Sequence, residues 1–196
     1  MILLAAIAAG LLTGLALARW KQRPYQTLEL KYLWLVFVAF LPQFIVFYLP
    51  GSRQNFSGFW LVLLLPFSQA LLLIFAWLNR QLPGMMILLL GAALNFTVIA
   101  ANRGYMPISP QTASRLVPQE VLENIQPGDR FGTKDILLLP QNTRFEWLAD
   151  RFLPPAWSAY QVAFSFGDIL IAFGLFWLLA SHGISQQGVY VRGTQI

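Results

Sequence analysis

YQVAFSFGDILIAFGLFWLLAS, residues 160–181, decides the class of the fold, because the whole stretch carries a single charge, Asp168. As a helix rising about 1.5 Å per residue it reaches about 33 Å, enough for the hydrocarbon core of a bilayer. Working outward, four more apolar runs precede it, over 2–18, 32–49, 58–78 and 84–101. Composition agrees: 57% of residues are hydrophobic and 11% charged, against about 25% charged in soluble domains. The sequence predicts an all-α integral membrane protein, one membrane domain over 1–196. It has about five transmembrane helices and a long, partly helical extracytoplasmic loop, 102–159, between the fourth and fifth.

The first run has no basic residue before it and is followed by Arg19, Lys21 and Arg23. This reverses the charge order of a signal peptide. Ala6, Gly10 and Gly14 recur every fourth residue, a small-residue stripe that lets another helix approach closely. Pro42 in the second run and Pro66 in the third predict kinks, since proline frees a carbonyl one turn back.

Orientation follows from basic residues near span ends, which mark the cytoplasmic side. Arg19, Lys21, Arg23, Lys31, Arg80 and Arg192 fall on one side; on the other, Arg53 stands alone in its short connection. The long loop balances six basic residues, Arg103 to Arg151, against six acids, Glu120 to Asp150. The amino terminus is therefore expected outside and the carboxyl terminus in the cytoplasm.

Structureless loops longer than about 15 residues are uncommon in compact proteins, so the long loop is expected to be partly folded. Pro118 with Glu120 and Glu123 suits a short helix, and Pro127-Gly128 a turn. Thr143 with Glu146 reads as a capping box opening an amphipathic helix. Phe145, Leu148 and Phe152 would share its face, and Pro154-Pro155 would stop it. With Trp147 and Trp157 nearby, that helix suits either the headgroup region or a lid on the bundle. Ile136 to Leu139 would dip toward the membrane or pair as a short strand.

Asp168 is the most informative residue, since a carboxylate in a membrane helix costs about 3 kcal/mol on insertion scales. With a helix starting near Tyr160 it would sit about 12 Å along it, under the loop. Two readings follow. In one, Asp168 with Ser165 and Asn95 forms a site for a proton, a cation or a polar ligand. In the other, it pairs with Arg103 or another loop cation and ties the loop to the bundle. Asn95 and Asn102 are seven residues apart, hence on one helix face, and interhelical hydrogen bonding explains them. Gly104 is expected to end the fourth helix in the left-handed conformation. Asp129, Lys134 and Asp135 would gather as a solvated ion-pair cluster, and His182 as a solvated tail residue. Asp150 joins the polar candidates of the loop, and Gly167 joins Gly10 and Gly14 as a helix-packing position.

Other classes lack support. With no cysteine there is no disulfide or thiolate metal site, and the one histidine makes no metal centre. Basic residues form no stripe with interleaved aromatics, so nucleic acid is not an expected partner. No nucleophile elbow, histidine pair or acidic cluster within one span marks an enzyme, and no inverted repeat marks a transporter.

One stretch reads Asn95-Phe-Thr-Val-Ile-Ala-Ala-Asn102-Arg-Gly104-Tyr-Met106-Pro107. It is followed by Gly128-Asp129, by Thr143 through Asp150, and by Ser165-Phe-Gly167-Asp168. Together these resemble an uncharacterised family of small bacterial membrane proteins, domain of unknown function 5317, over roughly the whole chain to residue 183. The family's stretch usually reads Asn-Gly-Gly-Met-Pro, whereas here Arg103 and Tyr105 flank Gly104. The resemblance implies a bacterial cytoplasmic membrane and a shared role for the loop and fifth helix, and brings no cofactor or activity.

The expected function is a non-catalytic subunit or scaffold of a larger bacterial membrane complex, with the lipid bilayer and other membrane-protein subunits as partners. The alternative is a small transporter or lipid-handling protein with its polar site at Asn95, Ser165 and Asp168. A third reading, an enzyme acting on a lipid-linked substrate, requires Asp129, Lys134, Asp150 and Asp168 to converge.

Overall fold

The computed structural model describes residues 2–26, 28–48, 58–132, 134–158 and 161–182. Arg53, Tyr160 and Arg192, named above, lie outside the described residues. Five apolar helices are described: α1 (Ile2–Trp20), α2 (Trp34–Tyr48), α3 (Gly58–Leu78), α4 (Met85–Ala101) and α7 (Phe166–Ser181). By length and composition α1 is long and apolar enough to cross a membrane; α4 and α7 are apolar but shorter. Helix α7 starts six residues later than the apolar run suggested, because the chain before it is extended and pairs Phe164 with Phe152.

Helix α7 packs against α1 on one side and α4 on the other, α4 also packs against α3, and α3 against α2. Glycine sets the distances around α7. A methyl group on Gly10 would lie 2.9 Å from the Phe176 carbonyl oxygen, and one on Gly14 2.7 Å from that of Leu179. Across α4 and α7, a methyl on Gly91 would lie 2.5 Å from the Gly167 carbonyl oxygen. The backbones thus touch where a side chain would hold them apart. Between α2 and α3 the contact is different: the Ser68 hydroxyl donates to the Ala39 carbonyl, beside buried Leu35 and Leu65. Helix α3 continues through Pro66, and α2 through Pro42.

The described residues between α4 and α7 are partly helical, as expected, but they also carry a small sheet, so the protein is not all-α. They fold as a small mixed α/β domain. It holds β1 (Met106–Ile108), α5 (Pro110–Ala113), α6 (Gln119–Glu123), β2 (Arg130–Phe131) and β3 (Asp135–Leu137). The sheet order is β1-β3-β2. β1 runs parallel to β3, with Met106 opposite Asp135 and Ile108 opposite Leu137, while β2 runs antiparallel to β3. Pro107, which has no N–H, sits on an edge strand where no ladder donor is needed; its carbonyl accepts from the Asp150 N–H at 3.1 Å. The expected short helix at Pro118 is α6, and Gln126 to Asp129 close a turn with Gly128 at φ 104°.

No amphipathic helix follows Thr143. Thr143 instead ends a 3-10 turn, its hydroxyl donating to the Leu139 carbonyl at 3.0 Å. Phe145 is left-handed at φ 56°, and only a 3-10 turn, Glu146–Leu148, follows. A left-handed residue at the start breaks the helix the spacing suggested, and Phe152 leaves that face to stack on Phe164.

Two apolar clusters place the domain. Ile108, Ala113, Phe131, Leu137 and Ala163 make its own core. Tyr105, Met106, Ile136 and Leu148 pack with Leu65, Val98 and Ile99 of α3 and α4, seating the sheet on the helices. Burying each such large side chain contributes roughly 1.5–3 kcal/mol, so the two parts fold against each other.

Candidate functional site

The seat brings together residues that are distant in sequence. Helix α7 opens with Ser165 as N-cap: its hydroxyl oxygen accepts from the Asp168 N–H at 3.0 Å, while the Ser165 N–H donates to Asp168 Oδ2 at 3.1 Å. This reciprocal closure satisfies two of the helix's free N–H groups, and it places Asp168 in the first turn rather than deep in the span. There the carboxylate faces the positive end of the helix dipole. From α4, the Asn95 amide donates to Asp168 Oδ1 at 2.8 Å and its oxygen accepts from the Ser165 hydroxyl, also at 2.8 Å. Gly167 makes room for Asn95. Asn95, Ser165 and Asp168 are thus hydrogen-bonded to one another in a closed set, and no arginine pairs with Asp168 among the described residues.

Above it the loop domain adds buried charge. The Lys134 ammonium lies 3.0 Å from Asp150 Oδ2, with the Asp150 side chain wholly buried and that of Lys134 38% exposed. Asp150 is fixed by its bridge to Ile108, and Asp135 by its place in the central strand. Asp150 Oδ1 and Asp135 Oδ1 are both buried and find no donor among the described residues. Burial raises the Asp135 carboxyl to about 7 against the pull of Lys134, and neighbouring Asp150 and Asp168 raise it further. Asp150 is likewise pushed up, to about 6, by burial first; Lys134 opposes this and Asp168 adds to it. For Lys134 burial works against the ammonium, but Asp150, Asp135 and Asp168 outweigh it and hold the proton on.

The other sequence candidates divide from this group. Asn102 ties the domain down: its amide donates to the Val98 carbonyl at 2.8 Å and the Arg144 carbonyl at 2.9 Å, and its oxygen accepts from the Arg144 N–H at 3.0 Å. Gly104 is left-handed as expected, at φ 79°, but Arg103 before it is left-handed too, at φ 59°. The Gly104 N–H reaches the Ile99 carbonyl at 3.0 Å, so the helix end is closed with Arg103 where glycine is usual. Asp129 stays exposed in its turn, where its carboxylate accepts from the Gln126 N–H at 2.9 Å. The expected surface cluster of Asp129, Lys134 and Asp135 is not formed, because Asp135 turns its carboxylate inward.

Sequence reasoning missed a second polar centre at the opposite end. The Asn79 side chain accepts from the Lys31 N–H at 2.8 Å and donates to the Lys31 and Phe75 carbonyls, both at 2.9 Å. The Tyr25 hydroxyl donates to the Leu179 carbonyl at 2.9 Å. His182 is no solvated tail residue: it is buried, with Nδ1 2.6 Å from the Leu178 carbonyl. These groups border an open cleft of about 820 Å³ between the α1–α2 link, the α3–α4 link and the end of α7. A second cleft, of about 540 Å³, lies between Asn102, Arg103, Gly128 and Arg144. The Lys134 group lines neither. Among the described residues no set of three or more acidic or histidine side chains is arranged to hold a metal ion.

No curated protein and no solved structure matches the chain. A family model does match, over residues 27–180, a range that takes in α2, α3, α4, the whole loop domain and nearly all of α7. The chain therefore belongs to the family of unknown function DUF5317.

Proposed function

We propose that the chain is a multi-pass protein of a bacterial cytoplasmic membrane that serves as a non-catalytic subunit or scaffold, with the loop domain outside. The observation that carries this reading is the outward surface of the helices. Leu4 and Leu12 of α1, Phe37 of α2, Phe67 and Trp77 of α3, Leu90 of α4 and Trp177 of α7 are all at least half exposed. Water disfavours so many large exposed apolar side chains on the helices, and lipid or a membrane partner favours them.

Charge supports the orientation. The cleft at Asn79 gathers the α1–α2 link, the α3–α4 link and the end of α7 at one end of the helices. That end carries Arg19, Lys21, Arg23, Lys31 and Arg80, the excess expected of a cytoplasmic face. Exposed Trp20 and Trp34 there, with Trp147 and Trp157 on the loop domain, suit the two headgroup regions.

What weighs against a transport site at Asp168 is its closure by Asn95 and Ser165, since a transported ion or ligand needs those acceptors free. The enzyme reading loses Asp129, which stays in its exposed turn. A scaffold needs neither, only rigid contact faces.

Native mass spectrometry of the tagged protein, gently extracted from its source membrane, tests the proposal: protein subunits in fixed stoichiometry are expected. A bare monomer in several mild detergents would overturn the subunit reading. Membrane topology is tested separately by single-cysteine labelling, which the cysteine-free sequence makes clean. Gln126→Cys should react with an impermeant maleimide in intact cells and Lys21→Cys only after lysis.

A further inference from the structure

Lys134 and Asp150 meet, with Asp135 next to Lys134, where the loop domain sits on α3 and α4, and Asp150 Oδ1 and Asp135 Oδ1 are buried with no donor among the described residues. Asp150 decides the matter, because it is 1% exposed and cannot turn its free oxygen to solvent. An ionised carboxylate left in that condition loses its hydration without replacement. A metal ion is not the remedy, since an ammonium already holds Asp150 Oδ2 and no metal-holding set exists among the described residues. A proton requires neither space nor further ligands.

We propose that this junction is a proton-binding site, in which Lys134, Asp135 and Asp150 together hold one exchangeable proton that strengthens the seat of the loop domain on the helices. Helix α3, whose Leu65 also packs in the seat, has no ionisable residue; between α4 and β1 stands Arg103. Helix α4 has no ionisable residue and α7 only Asp168. β1 has none, β3 supplies Asp135, and Lys134 stands next to it. β2 supplies Arg130, whose guanidinium lies over the Tyr105 ring, 5.2 Å from its centre. In the segment that brings Asp150, Arg144 is exposed, and Glu146 and Arg151 face each other at the surface, 3.8 Å apart. The Lys134 ammonium is ion-paired with Asp150, and Asp135 follows it directly in the chain. Lys134 keeps part of its side chain at the surface, which opens a path for exchange with solvent.

The sign is fixed by linkage. Asp135 and Asp150 bind the proton more tightly folded than unfolded. Their contribution is therefore full below the ordinary aspartate range, about 4, and is lost as pH rises through about 6 to 7. Lys134 is raised as well, so its contribution falls only in strong alkali and does not enter this window.

The test is infrared difference spectroscopy of the full chain in detergent, titrated from about pH 5 to about pH 8, following the protonated-carboxyl band, beside thermal melting over the same range. The expected result is one carboxyl losing its proton in that interval and a melting midpoint that falls as pH rises. Asp135→Asn should remove the band and flatten the melting profile. Asp150→Asn should do the same; should it fail to fold, Asp135→Asn decides. Absence of any carboxyl band in this interval overturns the proposal, and so does a band and profile unchanged in Asp135→Asn.

Discussion

Helix α7 meets its surroundings in two ways. Along its length it is held by bare backbone, with Gly10 and Gly14 of α1 on one side and, on the other, Gly91 of α4 and Gly84 just before it. At its N-terminus it is held by polar groups, Ser165, Asn95 and Asp168, with the Lys134–Asp150 pair above. The first kind of contact depends on shape alone and is indifferent to pH and salt. The second depends on protonation. The fold therefore places its rigid and its adjustable joints on a single helix, and substitutions in the two places should fail in different ways.

The largest effect is expected from Gly91→Val. Even its first added carbon would lie 2.5 Å from the Gly167 carbonyl and 2.8 Å from the Ile171 N–H, both backbone atoms that cannot step aside. Overpacking of this kind costs roughly 3 kcal/mol or more, and the loss should be equal at acid and neutral pH. Thermal unfolding in detergent at both pH values checks it; a wild-type midpoint would mean that α4 and α7 are not in backbone contact.

Next is Lys134→Met, which leaves Asp150 buried without its cation. Breaking a fully buried pair costs about 3–5 kcal/mol; because the Lys134 side chain is 38% exposed, about 2–3 kcal/mol is expected. Unlike the glycine variant, this one should recover in acid, where Asp150 is neutral. Hydrogen exchange of residues 106–150 read by mass spectrometry should show loosening at neutral pH confined to the loop domain. Equal loosening of α1 and α7 would erase the distinction between the two joints.

The two regions also differ in how far they can be read from sequence. The helices announce themselves, because a run such as residues 84–101 has one stable arrangement wherever water is scarce, and the spacing of Gly10 and Gly14 names the face that packs. The loop domain does not. Its strands are two or three residues long, too short for an alternating pattern, and its parallel pairing joins residues almost 30 apart. Thr143 and Glu146 carried a capping-box spacing, yet the left-handed Phe145 cancelled it. The working capping box, Ser165 with Asp168, was hidden inside an apolar run that reads as unbroken helix. Asn95, Ser165 and Asp168 were legible as a group, since each is a polar residue in apolar surroundings. Asp135 was not, because a charged residue beside a lysine in a loop looks solvated until the sheet turns it inward.

A smaller loss, about 1–2 kcal/mol, is expected for Ser165→Ala, which removes the N-cap and the donor to Asn95. Ser165→Thr keeps both and should restore most of the melting midpoint. If alanine and threonine behave alike, the hydroxyl is not what starts α7, and Asp168 must be held by its charge.

The smallest effect marks the edge of the charged region. Asp129 is an exposed turn residue whose carboxylate accepts one hydrogen bond, from the Gln126 N–H, and an asparagine oxygen there can accept the same bond. Asp129→Asn should stay within about 0.5 kcal/mol of wild type and leave the pH dependence of melting untouched, whereas Asp135→Asn, only six residues on, should flatten it. A flattened profile in both variants would mean that the adjustable joint extends to the surface turn and that burial is not what selects its members.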